Sequence, residues 1–351
     1  MKVSIVTASF EEGDAIGNYI RTLSDLLGEL GFSVEIYAEN LTRVRGYPHF
    51  HWRYYNSRGK AILWYHYSIY SETLQCLKSS RDWKVVDFHG VSPPRLFSGY
   101  NSHLEELCSK GELAFKDFAA DADVCVVHSD YARDVARANG YANIEKIPLV
   151  VDTKHLGTDD AELSALLGRI EYLLFVGRVV PQKSIVDLVT TFGELKKWRP
   201  GIKLFIVGET EIAASYFGHV RDVVRRLKLE EDVVFTGRVT NPEVLSSLYR
   251  HARFSLCLSE WESFCVPIVE SMFFGVPVVA NNVAPIPEVL GTAGLIVRKD
   301  DHAATARSIH ETLSDGDSYA GLKSACAARA SMFTEHKLKA AIAEMLGRRF
   351  G

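Results

Sequence analysis

The sequence of 351 residues contains no long uncharged apolar run, and this absence bears first on membrane insertion. A helix that spans a membrane needs about 20 consecutive apolar residues, and no run in this chain approaches that length. The N-terminal segment Met1–Thr7 is also too short to serve as the apolar core of a signal peptide. We therefore expect a cytoplasmic protein whose membrane association is at most peripheral, at the inner membrane surface.

The chain also lacks an excess of basic charge and any paired cysteine motif. Its 40 Lys and Arg residues stand against 44 Asp and Glu, and the net charge of −4 gives no support for a general nucleic-acid binder. The six cysteines contain no C-x-x-C pair, so we expect buried reduced thiols rather than disulfides or zinc ligands. No D-x-D motif lies where it could chelate a divalent cation, and we expect no metal and no separate cofactor.

Short apolar runs do alternate with amphipathic helical stretches along the whole chain. This alternation predicts an α/β protein with parallel sheets covered by helices on both faces. It begins again near Tyr172 after the polar segment Asp159–Arg169, and the length fits two domains. We predict two doubly wound domains, residues 1–160 and 161–333, with ligands at the carboxyl ends of their strands.

The most informative segment is Glu262–Glu270, which follows the apolar run Phe254–Leu258. Pro267 fits the first turn of a helix, where its missing N–H costs nothing. The start of a helix favours phosphate, whereas Glu262 and Glu270 are suited to accept hydrogen bonds from the hydroxyls of a ribose or hexose. Phosphate and polyol together indicate a sugar nucleotide.

Two cations in the loop Gly177–Lys183 follow an earlier predicted strand. Arg178 can grip phosphate in a bidentate fork and Lys183 adds a point charge, so the pair could replace a metal in holding a diphosphate. The alternative is a solvated pair on a helix-capping loop. Gly208 and Gly237 also follow predicted strands, where each suits either close approach of a nucleoside or an ordinary turn.

In this order the motifs resemble those of the retaining glycosyltransferases of family 4. The matching segments are Phe175–Arg178, Lys183, Ile206–Glu209, Phe235–Val239, Glu262–Glu270, Gly275–Val279 and Pro287-Glu288. The resemblance implies the GT-B fold, in which two Rossmann-like domains face a central cleft, and a metal-independent hexosyltransferase that retains anomeric configuration. Similar proteins usually carry glycine where Ser184, Ser263 and Cys265 stand here, which leaves the identity of the donor open.

The resemblance also implies roles for individual residues. Glu270 would hold the ribose hydroxyls, Glu262 would contact the transferred sugar, and Arg178 and Lys183 would bind the diphosphate. The remaining donor-binding positions are Gly177, Gly208, Arg238, Val239 beside the base, and the backbone amides of Phe264, Cys265 and Val266. The expected donor is UDP-glucose or a related UDP-sugar. The expected acceptor is a saccharide or lipid-linked saccharide in polysaccharide or glycolipid assembly.

The first half of the chain resembles the family more loosely. Gly13 and Asp14 open a helix after the first strand, like the family's glycine-rich loop, although a plain strand-to-helix turn has the same pattern. The G-x-G-x-x-G fingerprint is missing, which disfavours a nicotinamide dehydrogenase. His89 falls where the family places a histidine that faces the donor sugar, while His128 suits a structural role equally well. The resemblance further implies that a last helix, residues 334–351, packs back on the first domain.

Cations and aromatic residues are interleaved over residues 43–67. They suit a β-hairpin with its turn near residues 56–59, stacking on a saccharide, or contact with anionic lipid. We expect most of them to be structural and a few to contact the acceptor. Two other functional classes stay open for the whole chain: a sugar-nucleotide epimerase or phosphorylase, and a non-catalytic sugar-nucleotide sensor.

Overall fold

The computed structural model describes residues 1–151 and 157–350. The chain divides into two compact units. Unit 1 comprises Met1–Arg95, His103–Asp152 and Phe333–Gly351, and unit 2 comprises Leu96–Ser102 and Thr153–Met332. Among the described residues, no helix combines the length and apolar character needed to cross a bilayer.

Unit 1 is built on a seven-stranded sheet in which every strand pair is parallel. Its strands are β1 (Lys2–Thr7), β2 (Ser33–Ala38), β3 (His49–His51), β4 (Ile62–Tyr67), β5 (Trp83–Phe88), β6 (Val124–Val127) and β7 (Ile144–Lys146). Their spatial order is β3-β2-β1-β4-β5-β6-β7, so the strand order reverses between β1 and β4. The central strands are buried along almost their whole length because helices cover both faces of a parallel sheet.

The helices of unit 1 present apolar faces to this sheet. They are α1 (Ala15–Glu29), α2 (Leu74–Ser79), α3 (Ser102–Phe115), α4 (Asp130–Ala138) and the final helix α13 (Glu335–Phe350). Leu338, Ile342 and Met345 of α13 are buried. Its polar side reaches two acids of unit 1, through ion pairs of Lys339 with Glu29 and of Arg348 with Glu145.

Unit 2 contains a six-stranded parallel sheet. Its strands are β8 (Tyr172–Val176), β9 (Lys203–Val207), β10 (Val233–Gly237), β11 (Phe254–Cys257), β12 (Val278–Asn281) and β13 (Gly294–Val297). Its helices are α5 (Ala161–Leu167), α6 (Ile185–Leu195), α7 (Ala214–Arg226), α8 (Pro242–His251), α9 (Val266–Phe273), α10 (Ile286–Leu290), α11 (His302–Ser314) and α12 (Gly316–Ala330). The spatial order β10-β9-β8-β11-β12-β13 reverses between β8 and β11.

Of the structures that residues 43–67 suit, the β-hairpin is not formed. Strand β3 pairs in parallel with β2, whereas β4 pairs in parallel with β1 and β5, so β3 and β4 are not neighbours. All six residues of β4 are buried, and a strand that is apolar on both faces belongs in the centre of a parallel sheet. Short β3 lies at the sheet edge instead.

The chain does not enter a helix directly after β4, because α2 begins only at Leu74. Tyr67 is the last residue of β4. The Ser71 hydroxyl accepts a hydrogen bond from the backbone N–H of Thr73 and also bonds the Thr73 hydroxyl. Such local side-chain bonds compete with helical hydrogen bonding and favour a turn.

Candidate functional site

The strand order of unit 2 determines which loops meet. Strands β8 and β11 are neighbours at the point where the order reverses. In open α/β sheets the loops beyond the carboxyl ends of such strands diverge and leave a crevice for ligands. The loop after β8 carries Arg178 and Lys183, and the loop after β11 carries Glu262.

Lys183 and Glu262 form a largely buried ion pair at this position. The ammonium of Lys183 lies 2.6 Å from Oε1 of Glu262, and the hydroxyl of Ser259 donates to the same oxygen at 2.6 Å. Burial alone would lower the pKa of Lys183, but the Glu262 carboxylate outweighs it, and the pKa is raised above its usual value. The lysine is therefore held as a cation at a fixed place.

Cys265 precedes α9 in a left-handed conformation, with φ of 77°. Ser184, which precedes α6, is left-handed as well, with φ of 50°. These are two of the positions where similar proteins usually carry glycine, the residue that adopts this conformation without steric cost. The Cys265 and Cys257 sulfurs lie 3.4 Å apart, and the thiol hydrogen bond together with burial raises the pKa of Cys265.

The second acid of the segment, Glu270, lies in α9 and is fixed by a tyrosine. The buried hydroxyl of Tyr249 in α8 donates to Oε2 of Glu270 at 2.7 Å. Burial, followed by the nearby carboxylate, raises the pKa of Tyr249 well above its ordinary value, so the phenol stays a donor. Sequence reasoning missed Tyr249, and its place on a different helix left no local signal.

Three glycines, Gly177, Gly208 and Gly237, lie at the carboxyl ends of three neighbouring strands and bring the backbones there into contact. The Gly177 N–H donates to the carbonyl of Val207 at the end of β9, and the Gly208 N–H donates to the carbonyl of Gly237 at the end of β10. A Cβ added at Gly208 would lie 1.8 Å from the Gly177 carbonyl oxygen, and its φ is +153°. Only glycine permits this approach of the backbones.

The cations beside these glycines differ in their surroundings. Arg178 is exposed, and in the part of the chain that the structure describes its guanidinium has no hydrogen-bond or ion-pair partner. Arg238 is exposed and Val239 is half-buried after β10. The structure therefore brings Lys183 and Glu262 together and leaves the Arg178 guanidinium directed to solvent.

In unit 1, Gly13 and Asp14 form the turn into α1. Gly13 has φ of 76°, and the Asp14 carboxylate caps the helix by accepting hydrogen bonds from the N–H groups of Ile16 and Gly17. The capping carboxylate carries the negative charge that the start of a helix favours. In this structure the observed role of Asp14 is to begin the helix.

His89 belongs to a buried cluster at the carboxyl ends of β4, β5 and β6. His66 Nδ1 lies 2.8 Å from His89 Nε2, and Asp87 Oδ1 lies 3.5 Å from His89 Nε2 and 2.9 Å from His128 Nε2. The ring of Tyr19 packs edgewise against all three imidazoles. Sequence reasoning overlooked Asp87 and His66. Asp87 lies in β5 and His89 directly follows that strand, so the alternation of side chains along an extended chain places both on the same side.

Burial and charge set the ionisation of this cluster. Burial lowers the pKa of His66 to about 4 and lowers that of His89 well below its ordinary value. Burial would raise the pKa of Asp87, but the three imidazoles outweigh it, and the pKa is lowered. Asp87 is therefore a carboxylate, while His66 and His89 are neutral.

The family described as "Glycosyl transferases group 1" matches residues 164–329, which include every candidate residue of unit 2. We call residues 164–329, which this family model matches, the group 1 domain. Over 244 residues the chain is 29% identical to the O-antigen chain mannosyltransferase B of Escherichia coli, and the match covers 66% of this chain and 61% of that protein. The chain thus spans less than two thirds of this relative.

Solved structures resemble the chain well beyond the group 1 domain. Sucrose-phosphate synthase from Thermosynechococcus elongatus matches with a TM-score of 0.80 at 18% identity over 99% of both chains. Anabaena HepE in complex with UDP-glucose matches with a TM-score of 0.78 at 16% identity, over 99% of this chain and 100% of that one. The predicted GT-B fold is confirmed by these likenesses, while assignment to family 4 within it stays a prediction.

Two groups of potential metal ligands lie in the described residues, one in the group 1 domain and one in unit 1. They are Cys257, Glu262 and Cys265, and His66, Asp87 and His89. In the first group the Lys183 ammonium already neutralises the carboxylate at 2.6 Å and would repel a cation. In the second, His128 already contacts the Asp87 carboxylate. In each group the carboxylate therefore already has a side-chain partner within the protein.

Proposed function

We propose that the protein is a glycosyltransferase that moves a sugar from a nucleotide-diphosphate donor to a saccharide or lipid-linked saccharide, in polysaccharide or glycolipid assembly. The observation that carries this proposal is the placement of Lys183, Glu262 and the start of α9 at the strand-order reversal of the group 1 domain. That position gathers positive charge and hydroxyl acceptors where such sheets bind ligands.

The donor's diphosphate would lie against Lys183, Arg178 and the first amides of α9. Lys183 has three N–H donors and gives one to Glu262, so others are available to phosphate oxygens. Arg178 is exposed and offers a planar fork that suits phosphate. Glu270, oriented by Tyr249, would accept hydrogen bonds from the ribose, and Val239 would border the base.

We further propose a metal-independent reaction that retains anomeric configuration. Oε1 of Glu262 already accepts bonds from Lys183 and Ser259, which makes this carboxylate a poor nucleophile. The leaving phosphate would instead take the proton of the incoming hydroxyl while the new glycosidic bond forms on the same face. Arg178 and Lys183 would stabilise the charge that grows on the departing diphosphate.

Two donor classes are supported by different observations. UDP-glucose is the working donor, and the structural neighbour HepE is described in complex with it. The Escherichia coli relative is named a mannosyltransferase, which supports a mannose-bearing nucleotide sugar as the second candidate. The carboxylate of Glu270 recognises ribose, which both classes share, so this residue does not discriminate between them.

Calorimetry with UDP, GDP and ADP tests the donor site directly. We expect one of these nucleotides to bind the wild-type chain, and Glu270→Ala to weaken that binding by about 10-fold or more because hydrogen bonds to a charged acceptor are lost. Glu230→Ala, an exposed acid in the same unit, serves as the matched control. Equal affinity of Glu270→Ala and wild type for every nucleotide would remove the ribose assignment.

A product assay separates transfer from the other classes. A sugar-nucleotide epimerase would convert the donor without an acceptor, a phosphorylase would require free phosphate, and a sensor would bind without turnover. We expect nucleoside diphosphate release that a saccharide acceptor accelerates and that persists in EDTA. Strict dependence on added metal would contradict the proposed use of Arg178 and Lys183.

Peripheral contact with a membrane surface stays a prediction for residues 43–67, of which 62–67 form the buried strand β4. Phe50 and Tyr54 are 49% and 76% exposed there, and Arg53 lies over the Trp52 ring. Aromatic rings beside cations suit the interface of an anionic membrane. Sedimentation with vesicles that contain anionic lipid, compared with neutral vesicles, measures this contact.

A further inference from the structure

We infer that Asp87, His66 and His128 are positioning residues that fix the tautomer of His89, so that His89 presents an unprotonated Nδ1 to a saccharide hydroxyl. All the distances behind this inference lie within unit 1. Its functional part rests on the proposed transfer reaction, because only a saccharide substrate supplies the hydroxyl.

Both ring nitrogens of His128 face acceptors. Nδ1 lies 3.0 Å from the Ile147 carbonyl oxygen, which can only accept, so Nδ1 carries hydrogen. Nε2 lies 2.9 Å from Oδ1 of Asp87, whose ionised carboxylate also accepts. The geometry thus places a hydrogen-bond acceptor opposite each nitrogen of His128, the Ile147 carbonyl on one side and the Asp87 carboxylate on the other. Trp64 Nε1 donates to the other oxygen, Oδ2, at 2.8 Å and holds the carboxylate in place.

The contact between His66 and His89 requires one hydrogen between two nitrogens. His66 Nδ1 and His89 Nε2 are 2.8 Å apart, so one donates and the other accepts. His89 Nε2 is 3.5 Å from an Asp87 oxygen, whereas His66 Nδ1 is 3.9 Å from one. Hydrogen on His89 Nε2 lies closer to the negative charge, and this position is favoured in a buried setting where charges are poorly screened.

The consequence is a defined state for each ring. His66 accepts at Nδ1 and keeps its hydrogen on Nε2, which is buried without a partner among the described residues. His89 donates inward through Nε2, so Nδ1 carries a lone pair. A neutral imidazole with a bare nitrogen accepts a hydrogen bond, and a sugar hydroxyl supplies the matching donor. The ring of Tyr19 covers the same rings and limits their rotation.

Nitrogen-15 NMR of histidine-labelled full-length protein tests the tautomers without any substrate. At about pH 7.5 we expect His89 to be protonated at Nε2 only and His128 at both nitrogens. Single His→Asn replacements at positions 66, 89 and 128 assign the signals. Protonation of His89 at Nδ1, or a bare nitrogen on His128, would overturn the inference.

Asp87→Asn then tests the positioning role in the folded protein. We expect His128 to lose one proton, the two His89 tautomers to mix, and kcat for nucleoside diphosphate release from UDP-glucose or GDP-mannose to fall by about 10-fold. The Kd for the nucleotide should change less than about two-fold, since that site belongs to unit 2. Wild-type His89 and His128 spectra in Asp87→Asn would contradict the inference.

Asp82→Asn is the matched control, because Asp82 is another buried aspartate of unit 1 whose Oδ1 accepts backbone N–H bonds from residues 58–61. It should leave the imidazole spectra and kcat unchanged. Failure of the wild-type protein to turn over either donor would remove the proposed function, whereas the tautomers read by NMR would still decide the assignment of His89.

Discussion

Lys183 combines an observed ion pair within unit 2 with a proposed role at the donor's diphosphate. Its ammonium is buried against Glu262, whereas the exposed guanidinium of Arg178 has no partner in the described chain. The resemblance to family 4 groups these two cations by their common target, the diphosphate. The structure distinguishes the two cations. Removal of Lys183 leaves the carboxylate of Glu262 buried without its cation, whereas removal of Arg178 leaves no buried charge behind.

Arg178→Ala and Lys183→Ala should both cut nucleoside diphosphate release by about 100-fold, since each removes a charged hydrogen-bond donor. Only Lys183→Ala should also destabilise the fold, by about 3 kcal/mol, because Glu262 is left buried and unpaired. Urea unfolding of both variants checks this difference, with Lys203→Ala as a surface ion-pair control.

The double variant Lys183→Ala with Glu262→Gln removes the unpaired charge. Its stability should return toward wild type while its turnover stays low. Restored turnover in the double variant would contradict the role of Lys183 at the diphosphate.

Tyr249 orients Glu270 through a hydrogen bond. If Glu270 holds the ribose as proposed, removal of the Tyr249 hydroxyl should change how the protein recognises the ribose. Tyr249→Phe should keep the fold but loosen the carboxylate, so the preference for UDP over its 2′-deoxy and 3′-deoxy analogues should shrink by about 5-fold. Calorimetry with these three nucleotides measures the ratio, or with the corresponding set if another base binds. An unchanged preference would mean that Glu270 is oriented by other contacts.

At the scale of elements, the second half of the chain was predicted more fully than the first. The four strands β8 to β11 of unit 2 are each associated with a loop whose glycine, cation or acid is visible in the sequence. In unit 1 the sequence does not determine the structure of the segment from β3 to α2, because its aromatic and basic residues fit several structures equally well. Only tertiary pairing, which buries β4 between β1 and β5, decides among them.

The side-chain cluster around His89 could not be predicted in full for a related reason. Its members come from three strands, and their contacts depend on parallel register between β4, β5 and β6. Likewise, the resemblance marks Ser184 and Cys265 as unusual, but only the left-handed backbone before each helix explains why glycine is the usual residue at these positions. Sequence alone carries no dihedral angle.

The contact between the loops after β8 and β9 predicts a strong effect of one added methyl group. Gly208→Ala should destabilise unit 2 by roughly 3 kcal/mol, because the Cβ overlaps the Gly177 carbonyl in a strained backbone conformation. Gly218→Ala, in an exposed position of α7 with open space, should instead stabilise by up to about 1 kcal/mol. Urea unfolding of both variants provides the comparison, and equal effects would contradict the close approach.

At the scale of the molecule, buried neutral histidines make unit 1 sensitive to acid. The pKa of His66 is about 4 in the folded chain against 6.5 as its ordinary value. Between these values the unfolded chain binds more protons, so stability present above pH 6.5 is lost as pH falls toward 4. The loss from His66 is on the order of 3 kcal/mol, and His89 adds to it.

Pulse hydrogen exchange after equilibration in urea at each pH measures this loss segment by segment. Peptides from β4 and β5 should lose protection at lower urea as pH falls, whereas peptides from β8 and β9 should change less. His66→Gln should flatten the dependence in unit 1. A dependence that is identical in wild type and His66→Gln would exclude His66 as its source.

The segment Leu96–Ser102 comes early in the sequence yet belongs to unit 2, where the Asn101 side chain donates to the Ile212 carbonyl and Tyr100 packs on Tyr216. The polypeptide therefore passes between the units four times rather than once. In a chimaera joined at a single point between the units, residues 96–102 would come from one parent and their partners Ile212 and Tyr216 from the other. Grafting a donor specificity from a homologue requires residues 96–102 and the last helix to be exchanged or retained together with the unit that each completes.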